Sequence, residues 1–387
     1  MIESPSHGWT PVWAMPNVTL DEPIEVSHAA LVPCSDERLR EAVRLHPTLE
    51  TFFRAFRDEF GTQIEPAIGM VREDAPTGVK TVTAFGGFRD AICLSAIAAG
   101  QSLSLTSKSG GIGIVHSDAF DVFPWFPALE PGLEKYVRTF TPMLAAMHGG
   151  EALQPQCAPA LGRRSLSSSH IDHPLLKALL ARWERCFVSG SEAIEDRRLF
   201  RSLEMARAAS KVPGGVDATE HHSGRAVALW VSAFEILAHD GKWSGLKEVL
   251  TRLGEVQWRG AKLKVQDRQI KINKKETLQT NVAGEVYGHL YRVRNDFLHG
   301  NPVTSETLNL ETCRRSVLFF AAPLFRLALT AFLDLRFSET LPDTASGKDR
   351  GRHLAKRMGF NQPQRLAEDA ILMADNCPAP DQAPPTG

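Results

Sequence analysis

The chain has 387 residues, and its 44 Lys and Arg nearly balance its 45 Asp and Glu, giving a formal net charge of −1. Hydrophobic residues make up 43% and charged residues 23%, as in an ordinary folded protein. The balance excludes a histone-like polycation and a long acidic tail, but it leaves room for a local basic patch. At roughly 150 residues per domain, the length predicts two domains.

The six cysteines are scattered and form no CxxC pair, which disfavours a disulfide framework and a structural zinc site. The N-terminus has no basic region followed by an apolar stretch, so we expect no signal peptide. The most apolar stretch, residues 317–335, contains Arg326, whose transfer to a bilayer centre would cost roughly 2.5–3.5 kcal/mol. We therefore expect a buried core helix there, a cytoplasmic protein, and neither a membrane partner, a metal nor a cofactor.

Residues 1–150 are expected to form a mixed α/β domain, to which we assign a sensor or regulatory role. The alternating or short apolar runs, which favour strands, span residues 11–20, 64–71, 79–85 and 112–116. Helical patterns lie at residues 36–60 and 88–99, and the glycine pairs Gly86-Gly87 and Gly110-Gly111 indicate turns.

A stretch rich in Gly, Pro, Ala and Ser, residues 151–170, is expected to link this domain to the next. Residues 171–340 then read as a helical bundle, interrupted by a basic, alternating insert at residues 258–280 that favours a β-hairpin. The helical patterns span residues 174–188, 192–209, 222–239, 244–253, 283–299 and 305–337. A polar tail, residues 341–387, ends in a Pro-rich segment that we expect to be disordered. The expected fold class is α+β, an N-terminal mixed α/β domain followed by an all-α helical bundle.

The most informative segment is Leu290-Tyr-Arg-Val-Arg-Asn-Asp-Phe-Leu-His-Gly-Asn-Pro302, whose core is Arg294-Asn295-x-x-x-His299. Chance alone would place an Arg and a His at this spacing in a chain of this composition, so the spacing by itself carries little information. The context adds to it, because Asn follows the Arg directly and the helical pattern ends at Gly300 and Pro302.

On a helix, Asn295 and His299 share one face because they are four residues apart. Arg294 lies on another face, but its long side chain can reach back over the same helix end. A guanidinium, an imidazole and an amide that meet there suit phosphodiester chemistry. Arg294 can hold a phosphate and offset transition-state charge, His299 can act as general acid or base, and Asn295 can orient the imidazole or bind an oxygen.

The segment resembles the signature of HEPN domains, in which Arg-Asn-x-x-x-His stands late in an all-helical bundle. Its surroundings look like the ApeA-like branch of that family. Two earlier segments, Phe200-Arg-Ser-Leu-Glu-Met-Ala-Arg207 and Ala228-Leu-Trp-Val-Ser-Ala-Phe-Glu-Ile-Leu237, are also similar to that branch. The resemblance covers residues 192–337.

This resemblance implies a metal-independent endoribonuclease that cleaves single-stranded RNA, leaves a 2′,3′-cyclic phosphate and forms a homodimer through the helical domain. It implies Arg294, Asn295 and His299 as catalytic residues and Glu235, on the neighbouring helix, as a supporting residue. Related ApeA-like proteins are associated with bacterial defence against phage, acting in a toxin-like way on host RNA. The N-terminal domain would then bind an activating ligand or a phage protein.

A further group of cations is expected to contact the RNA backbone, because a local positive surface attracts phosphates. These residues are Arg292, Lys262, Lys264, Arg268, Lys271, Lys274 and Lys275. A solvated hairpin with no RNA contact is an equally good interpretation of the insert. In the same way, Arg294 and His299 can be read as a surface ion-pairing arginine and a helix-terminal histidine, and Glu235 as a helix-surface or buried-network residue.

Two functions of other classes stay open. One is a non-catalytic HEPN-type module that dimerises or binds a nucleotide or a partner protein. The other is a regulator that binds duplex DNA through the tail, where residues 354–366 resemble the first half of a helix-turn-helix motif.

Overall fold

The computed structural model describes residues 8–58, 60–107, 113–124, 164–212, 218–239, 241 and 245–375. The chain is α+β, with strands in its N-terminal part and a mostly helical C-terminal part. Its contacts divide the described residues into two units. The first takes those of residues 1–93, 116–171 and 179–200, and the second takes those of residues 94–115, 172–178 and 201–387. Most of the expected linker, residues 151–163, lies outside the described residues, so its role as a domain boundary stays a prediction.

The first unit contains the strands β1 (Trp9–Met15), β2 (Val18–Leu20), β3 (Ile24–Glu25), β4 (Ala29–Val32), β5 (Ala67–Arg72), β6 (Phe123–Pro124) and β7 (Arg164–Leu166). Five of them form an antiparallel sheet in the order β3-β4-β5-β1-β6. β2 pairs in parallel with β7. β1, β4 and β5 are buried along nearly their whole length, which is why they read as continuous apolar runs. The strands expected near residues 11–20 and 64–71 are thereby confirmed.

Three helices accompany these strands in the chain: α1 (Glu37–Leu45), α2 (Thr48–Arg54) and α3 (Val82–Thr106). The single helix expected over residues 36–60 is wrong, because the chain leaves helical geometry at His46, directly before Pro47. The turn expected at Gly86-Gly87 is also wrong, since α3 runs through both glycines. At Gly87 the ring of Phe200 packs so closely that an added Cβ would lie 2.9 Å from it.

The strand expected at residues 79–85 is wrong as well, because α3 begins within it, and the described residues 113–116 contain no strand. Helix α3 is long and apolar enough to cross a membrane by length and composition. However, 72% of its most apolar 18-residue window is buried inside the protein, as in the core helix of a soluble protein.

The C-terminal part contains α4 (His173–Trp183), α5 (Ile194–Ala209), α6 (Glu220–Ala238), α7 (Leu246–Gly254), α8 (Ala261–Lys264), α9 (Val282–Leu298), α10 (Ser305–Leu308), α11 (Leu318–Phe332) and α12 (Gly347–Leu372). The helices expected before residue 300 are confirmed within a few residues. The helix expected over residues 305–337 is instead α10 and α11. They are separated by a non-helical segment in which Arg314 takes a φ of 53°.

Helix α11 lies at the centre of the second unit and packs against α6, α7, α9 and α12. The ring of Phe325 lies 5.2 Å from that of Phe234, which in turn lies 5.1 Å from that of Tyr287. Arg326 is only 2% exposed, and its Nε donates to Asp172 Oδ2 over 2.8 Å. A buried carboxylate therefore compensates the charge of an arginine in an otherwise apolar helix.

The basic insert forms the expected hairpin, with β8 (Arg268–Lys271) antiparallel to β9 (Thr277–Thr280). Ile270 of β8 lies against α9 at Gly288, where an added Cβ would be 2.8 Å from its Cδ1. The hairpin is therefore packed onto the helix that carries the Arg294-Asn295 motif.

Part of the expected polar tail, residues 341–387, differs from that description, because residues 347–372 form α12. One face of the C-terminal third of α12 is buried, and Glu368 there accepts the backbone N–H groups of Arg259 and Gly260 over 2.9 and 2.7 Å. The helix-turn-helix suggested for residues 354–366 is wrong, since α12 continues through them with Pro363 inside the helix. The Pro-rich end, from residue 376, lies outside the described residues.

Candidate active site

Two helices of the second unit, α6 and α9, carry the predicted site residues. Phe234, near the C-terminal end of α6, contacts Tyr287 in the N-terminal half of α9. Gly224, near the N-terminal end of α6, lies against Phe297 near the C-terminal end of α9, so the two helices run antiparallel. We call their line of contact the α6/α9 seam.

Helix α9 has sharply defined ends. The side chain of Asn281 accepts the N–H of Gly284 at its start, and Gly300, with a φ of +81°, follows its C-cap residue. The segment around the motif is therefore held in a fixed register along the seam.

Arg294 is held by three neighbours. Its Nη2 donates to Glu235 Oε1 over 2.7 Å, and its Nη1 donates to Asn295 Oδ1 over 3.0 Å. The guanidinium carbon also lies 4.9 Å from the centre of the Tyr291 ring. The side chains of Arg294 and Glu235 are 19% and 18% exposed. The structure thus brings together Arg294, Asn295 and Glu235, three of the four predicted residues, but not His299.

The expected direction of the Arg294 side chain is wrong. We expected it to reach back over the helix end that carries His299, but it extends toward Tyr291 and Glu235. The cause is the antiparallel packing, which places the end of α6 with Glu235 beside the N-terminal half of α9. The carboxylate there draws the guanidinium along the seam.

The inner end of the seam is partly shielded from water. Burial raises the pKa of Glu235, and the charge and hydrogen bond of Arg294 oppose that effect only in part. The hydroxyl of Tyr287 is fully buried and has no hydrogen-bond partner among the described residues. Burial, followed by the charge of Glu235, raises the pKa of Tyr287 well above its usual value, so this phenol stays neutral.

His299 lies at the opposite, open end. It is the C-cap residue of α9, not part of its last turn, and its backbone N–H donates to the Asn295 carbonyl over 3.0 Å. The residue is exposed, and its imidazole makes no hydrogen bond or ion pair with any residue that the structure describes. His299 is therefore accessible to a ligand, whereas Arg294 is mostly committed to neighbours in its own chain.

An apolar groove of about 380 Å³ runs beside the seam between these two ends. Its lining residues are His221, His222, Arg225, Ala228, Leu229, Ser232 and Phe297. Gly224 lets the Phe297 ring pack against α6, because an added Cβ there would lie 2.2 Å from the ring. His222 also caps α6, since its Nδ1 accepts the N–H of Thr219 over 3.1 Å.

The predicted RNA-contacting cations fall into two groups. Arg268 is engaged within the chain, 3.0 Å from Asp375 and 3.5 Å from Glu285. The others are exposed: Arg292 on α9, Lys262 and Lys264 on α8, and Lys271, Lys274 and Lys275 on the hairpin. Only the second group is free to meet a phosphate backbone.

The sequence interpretation assigned no role to Tyr291 or Phe297, although both lie within the motif segment. The spacing of Tyr291 and Arg294, three residues apart on one helix, is a signal that could have linked them. Across the described ranges, no group of three or more His, Cys, Asp or Glu side chains is placed to hold a metal ion. Comparisons of the chain with protein-family models, with curated proteins and with solved structures find no match.

Proposed function

We propose that the protein is a metal-independent endoribonuclease of the HEPN type that cleaves single-stranded RNA at the α6/α9 seam. One observation carries the proposal. Glu235 and Tyr291 fix the Arg294 guanidinium, while the imidazole at the end of the same helix, on His299, stays exposed and without a partner among the described residues. A cation that can stabilise a phosphate and an uncommitted imidazole that can move a proton are groups that phosphodiester transfer uses.

In the proposed reaction, the ribose 2′-oxygen bonds to the adjacent phosphorus as the bond from phosphorus to the 5′-oxygen breaks. His299 takes the proton of the 2′-hydroxyl, and water protonates the leaving 5′-oxygen. The products are a 2′,3′-cyclic phosphate and a 5′-hydroxyl. For this step Arg294 exchanges Glu235 for the phosphate beside His299 and offsets the charge that builds there. Asn295 orients the guanidinium through the hydrogen bond that it already accepts.

The groove beside the seam supplies a place for a nucleobase of the same strand. Its volume of about 380 Å³ lies within the range of small-ligand sites. Phe297 offers a fixed aromatic surface for stacking, and Arg225 at the rim offers a cation for a phosphate.

A cleavage assay tests the proposal directly. We expect the protein, with candidate phage triggers where it is silent alone, to cut single-stranded RNA in the presence of EDTA. Cutting should fail at positions where the 2′-hydroxyl is replaced by 2′-O-methyl. His299→Ala and Arg294→Ala should each lower the rate by about 100-fold or more.

His46→Ala is a matched control for His299→Ala. His46 is also exposed, is also the C-cap of its helix, and also donates its backbone N–H four residues back. Cleavage that depends on His46 as much as on His299, or RNA cutting that EDTA abolishes, would contradict the proposal.

Backbone contacts by the hairpin form a second, separable part of the proposal. We expect a Lys271→Gln, Lys274→Gln and Lys275→Gln triple variant to bind RNA more weakly and with a smaller dependence of affinity on salt. Arg268→Gln is unsuitable for this purpose, since Arg268 is engaged with Asp375. An unchanged salt dependence in the triple variant would identify the insert as a solvated hairpin.

We also propose a homodimer formed through the helical domain, a cytoplasmic location and a role in antiphage defence, with a trigger that acts on the N-terminal domain. Light scattering on the purified chain should give twice the mass of 42.6 kDa. Cells that express the protein should resist phage, and His299→Ala should remove that resistance. Resistance that survives His299→Ala would contradict the defence role of the nuclease.

A non-catalytic binding or dimerisation module is the second candidate function. It is favoured by the Arg294–Glu235 pair, in which the arginine already has a carboxylate of its own chain. If no RNA is cut under any condition and His299→Ala leaves every cellular phenotype intact, this function replaces the first.

A further inference from the structure

A second cavity lies within the second unit and shares no lining residue with the groove beside the α6/α9 seam. It has a volume of about 320 Å³ and lies between the segment after α7, the C-terminal end of α11 and the middle of α12. Three arginines line it: Arg259, Arg326 and Arg336. We call it the arginine pocket.

Arg326 forms the buried side of the arginine pocket. Its Nε donates a hydrogen bond to Asp172 and its Nη1 donates one to Gln364, whereas its Nη2 has no partner among the described residues. The side chain is only 3% exposed, and this nitrogen is not among the buried atoms that lack a partner, so its small accessible surface opens into the pocket. A buried guanidinium with an open N–H group favours an acceptor bound in the cavity.

Arg259 supplies a guanidinium that none of the neighbouring carboxylates engages. Its guanidinium has no partner among the described residues, while its backbone is fixed by Glu368. Of the two carboxylates that line the pocket, Asp334 pairs with Arg336.

The other carboxylate, Glu255, pairs with Arg252 over 2.5 Å. Asp172, which does not line the pocket, pairs with Arg326. Glu368 accepts backbone N–H groups instead of an arginine side chain, and the guanidinium of Arg259 remains without a partner among the described residues.

The remaining wall is suited to an organic group. Phe360, Leu335 and Ala331 provide an apolar surface, and Asn361 Oδ1 is buried with no donor among the described residues. A ligand that fits this wall carries an anionic end for the arginines, an apolar face for Phe360 and a donor group for Asn361.

We propose that the arginine pocket binds a small organic phosphate, a phosphomonoester of about mononucleotide size. Guanidinium groups bind phosphate oxygens through paired N–H donors, and two or three of them favour a dianion over a single carboxylate. The volume of about 320 Å³ is within the range of small-molecule sites. Because the pocket joins α11 to α12, the ligand stabilises the docked position of α12. The proposal stands independently of RNA cleavage.

Calorimetry and thermal unfolding of the 387-residue chain test the proposal with four probes: adenosine monophosphate, ribose 5-phosphate, inorganic phosphate and adenosine. We expect adenosine monophosphate or ribose 5-phosphate to bind and to raise the unfolding temperature. Adenosine should not bind, and inorganic phosphate should bind at least tenfold more weakly than the better ester. Arg259→Gln and Asn361→Asp should each weaken binding at least tenfold.

Arg357→Gln is the matched control, because Arg357 is exposed on α12 outside the pocket and has no partner among the described residues. It should leave binding unchanged, and all three variants should keep the wild-type far-UV spectrum. The proposal is overturned if neither ester binds, if adenosine or inorganic phosphate binds as tightly as the esters, or if Arg357→Gln weakens binding as much as Arg259→Gln.

Discussion

Two arginine–carboxylate pairs in the helical unit have the same chemistry but differ in how far water reaches them. Arg326 and Asp172 lie 2.8 Å apart with side chains 3% and 2% exposed. Arg294 and Glu235 lie 2.7 Å apart with side chains 19% and 18% exposed. A fully buried pair is required by the core around it, whereas a partly open pair can exchange its partner for a ligand. The burial of each pair, more than its geometry, therefore separates a pair that the core requires from one whose carboxylate can be replaced.

The largest effect is expected for Asp172→Asn. Asparagine keeps the cap of α4, where Asp172 accepts the N–H of Leu175, but it removes the charge opposite Arg326. Leaving that arginine buried without a counter-charge should lower the free energy of unfolding by about 3–5 kcal/mol. Urea unfolding measures this loss.

Glu339→Gln is the control for Asp172→Asn, because its pair with Lys356 is exposed and should change stability by less than about 1 kcal/mol. A loss below about 1 kcal/mol for Asp172→Asn would remove the distinction between the two arginine pairs.

The next largest loss of stability is expected for Gly224→Ala, which tests how tightly the α6/α9 seam is packed. The added Cβ would meet the Phe297 ring at 2.2 Å, so the ring must move. We expect overpacking to cost about 1–3 kcal/mol, more than the gain of about 1 kcal/mol from a better helix former.

Gly351→Ala on α12, where nothing lies within 4 Å of the added Cβ, should instead stabilise the protein by up to about 1 kcal/mol. Equal effects of the two substitutions would show that the Phe297 ring is not fixed.

The two arginine regions also differ in how far the sequence predicts them. The sequence predicts α11 as a buried core helix because its residues are apolar on every side, which is typical of a helix surrounded by other elements. Helix α12 was not expected, because its buried residues include Gln364 and Glu368. Their burial depends on Arg326 and on the backbone of Arg259, partners that no local period reveals.

At the candidate site, the helix and the shared register of Asn295 and His299 follow from the sequence. The direction of Arg294 does not, because Glu235, 59 residues earlier in the chain, determines it. The groove also escapes sequence reasoning, since its lining combines residues of α6 with Phe297 of α9, which are far apart in the chain.

A smaller effect of opposite sign is expected for Glu235→Gln. Burial raises the pKa of Glu235 above its ordinary value of 4.5, even beside Arg294. The folded state therefore binds the proton more tightly than the unfolded state. The stability that this group contributes is fully present below the unfolded pKa of 4.5 and is lost as the pH rises through the folded pKa.

Glutamine mimics the protonated form and still accepts from Arg294. At pH 7 it should raise the free energy of unfolding by less than about 1 kcal/mol, and the difference from wild type should shrink as the pH falls toward 4.5. Chemical unfolding of both proteins between pH 4.5 and pH 7.5 measures this. A clear loss of stability at pH 7 would place Glu235 with Asp172 as a required structural partner.

The smallest effect on stability, and the sharpest contrast with Arg326, is expected for His299→Ala. The imidazole is exposed and bonds to no described side chain, so its removal should change the free energy of unfolding by less than about 0.5 kcal/mol. RNA cleavage should nevertheless fall by about 100-fold or more. His299 would then be needed for the reaction but not for the stability of the fold, whereas Arg326 is needed for that stability. If His299→Ala unfolds the protein instead, the imidazole belongs to the structural group, and the loss of cleavage would then say nothing about catalysis.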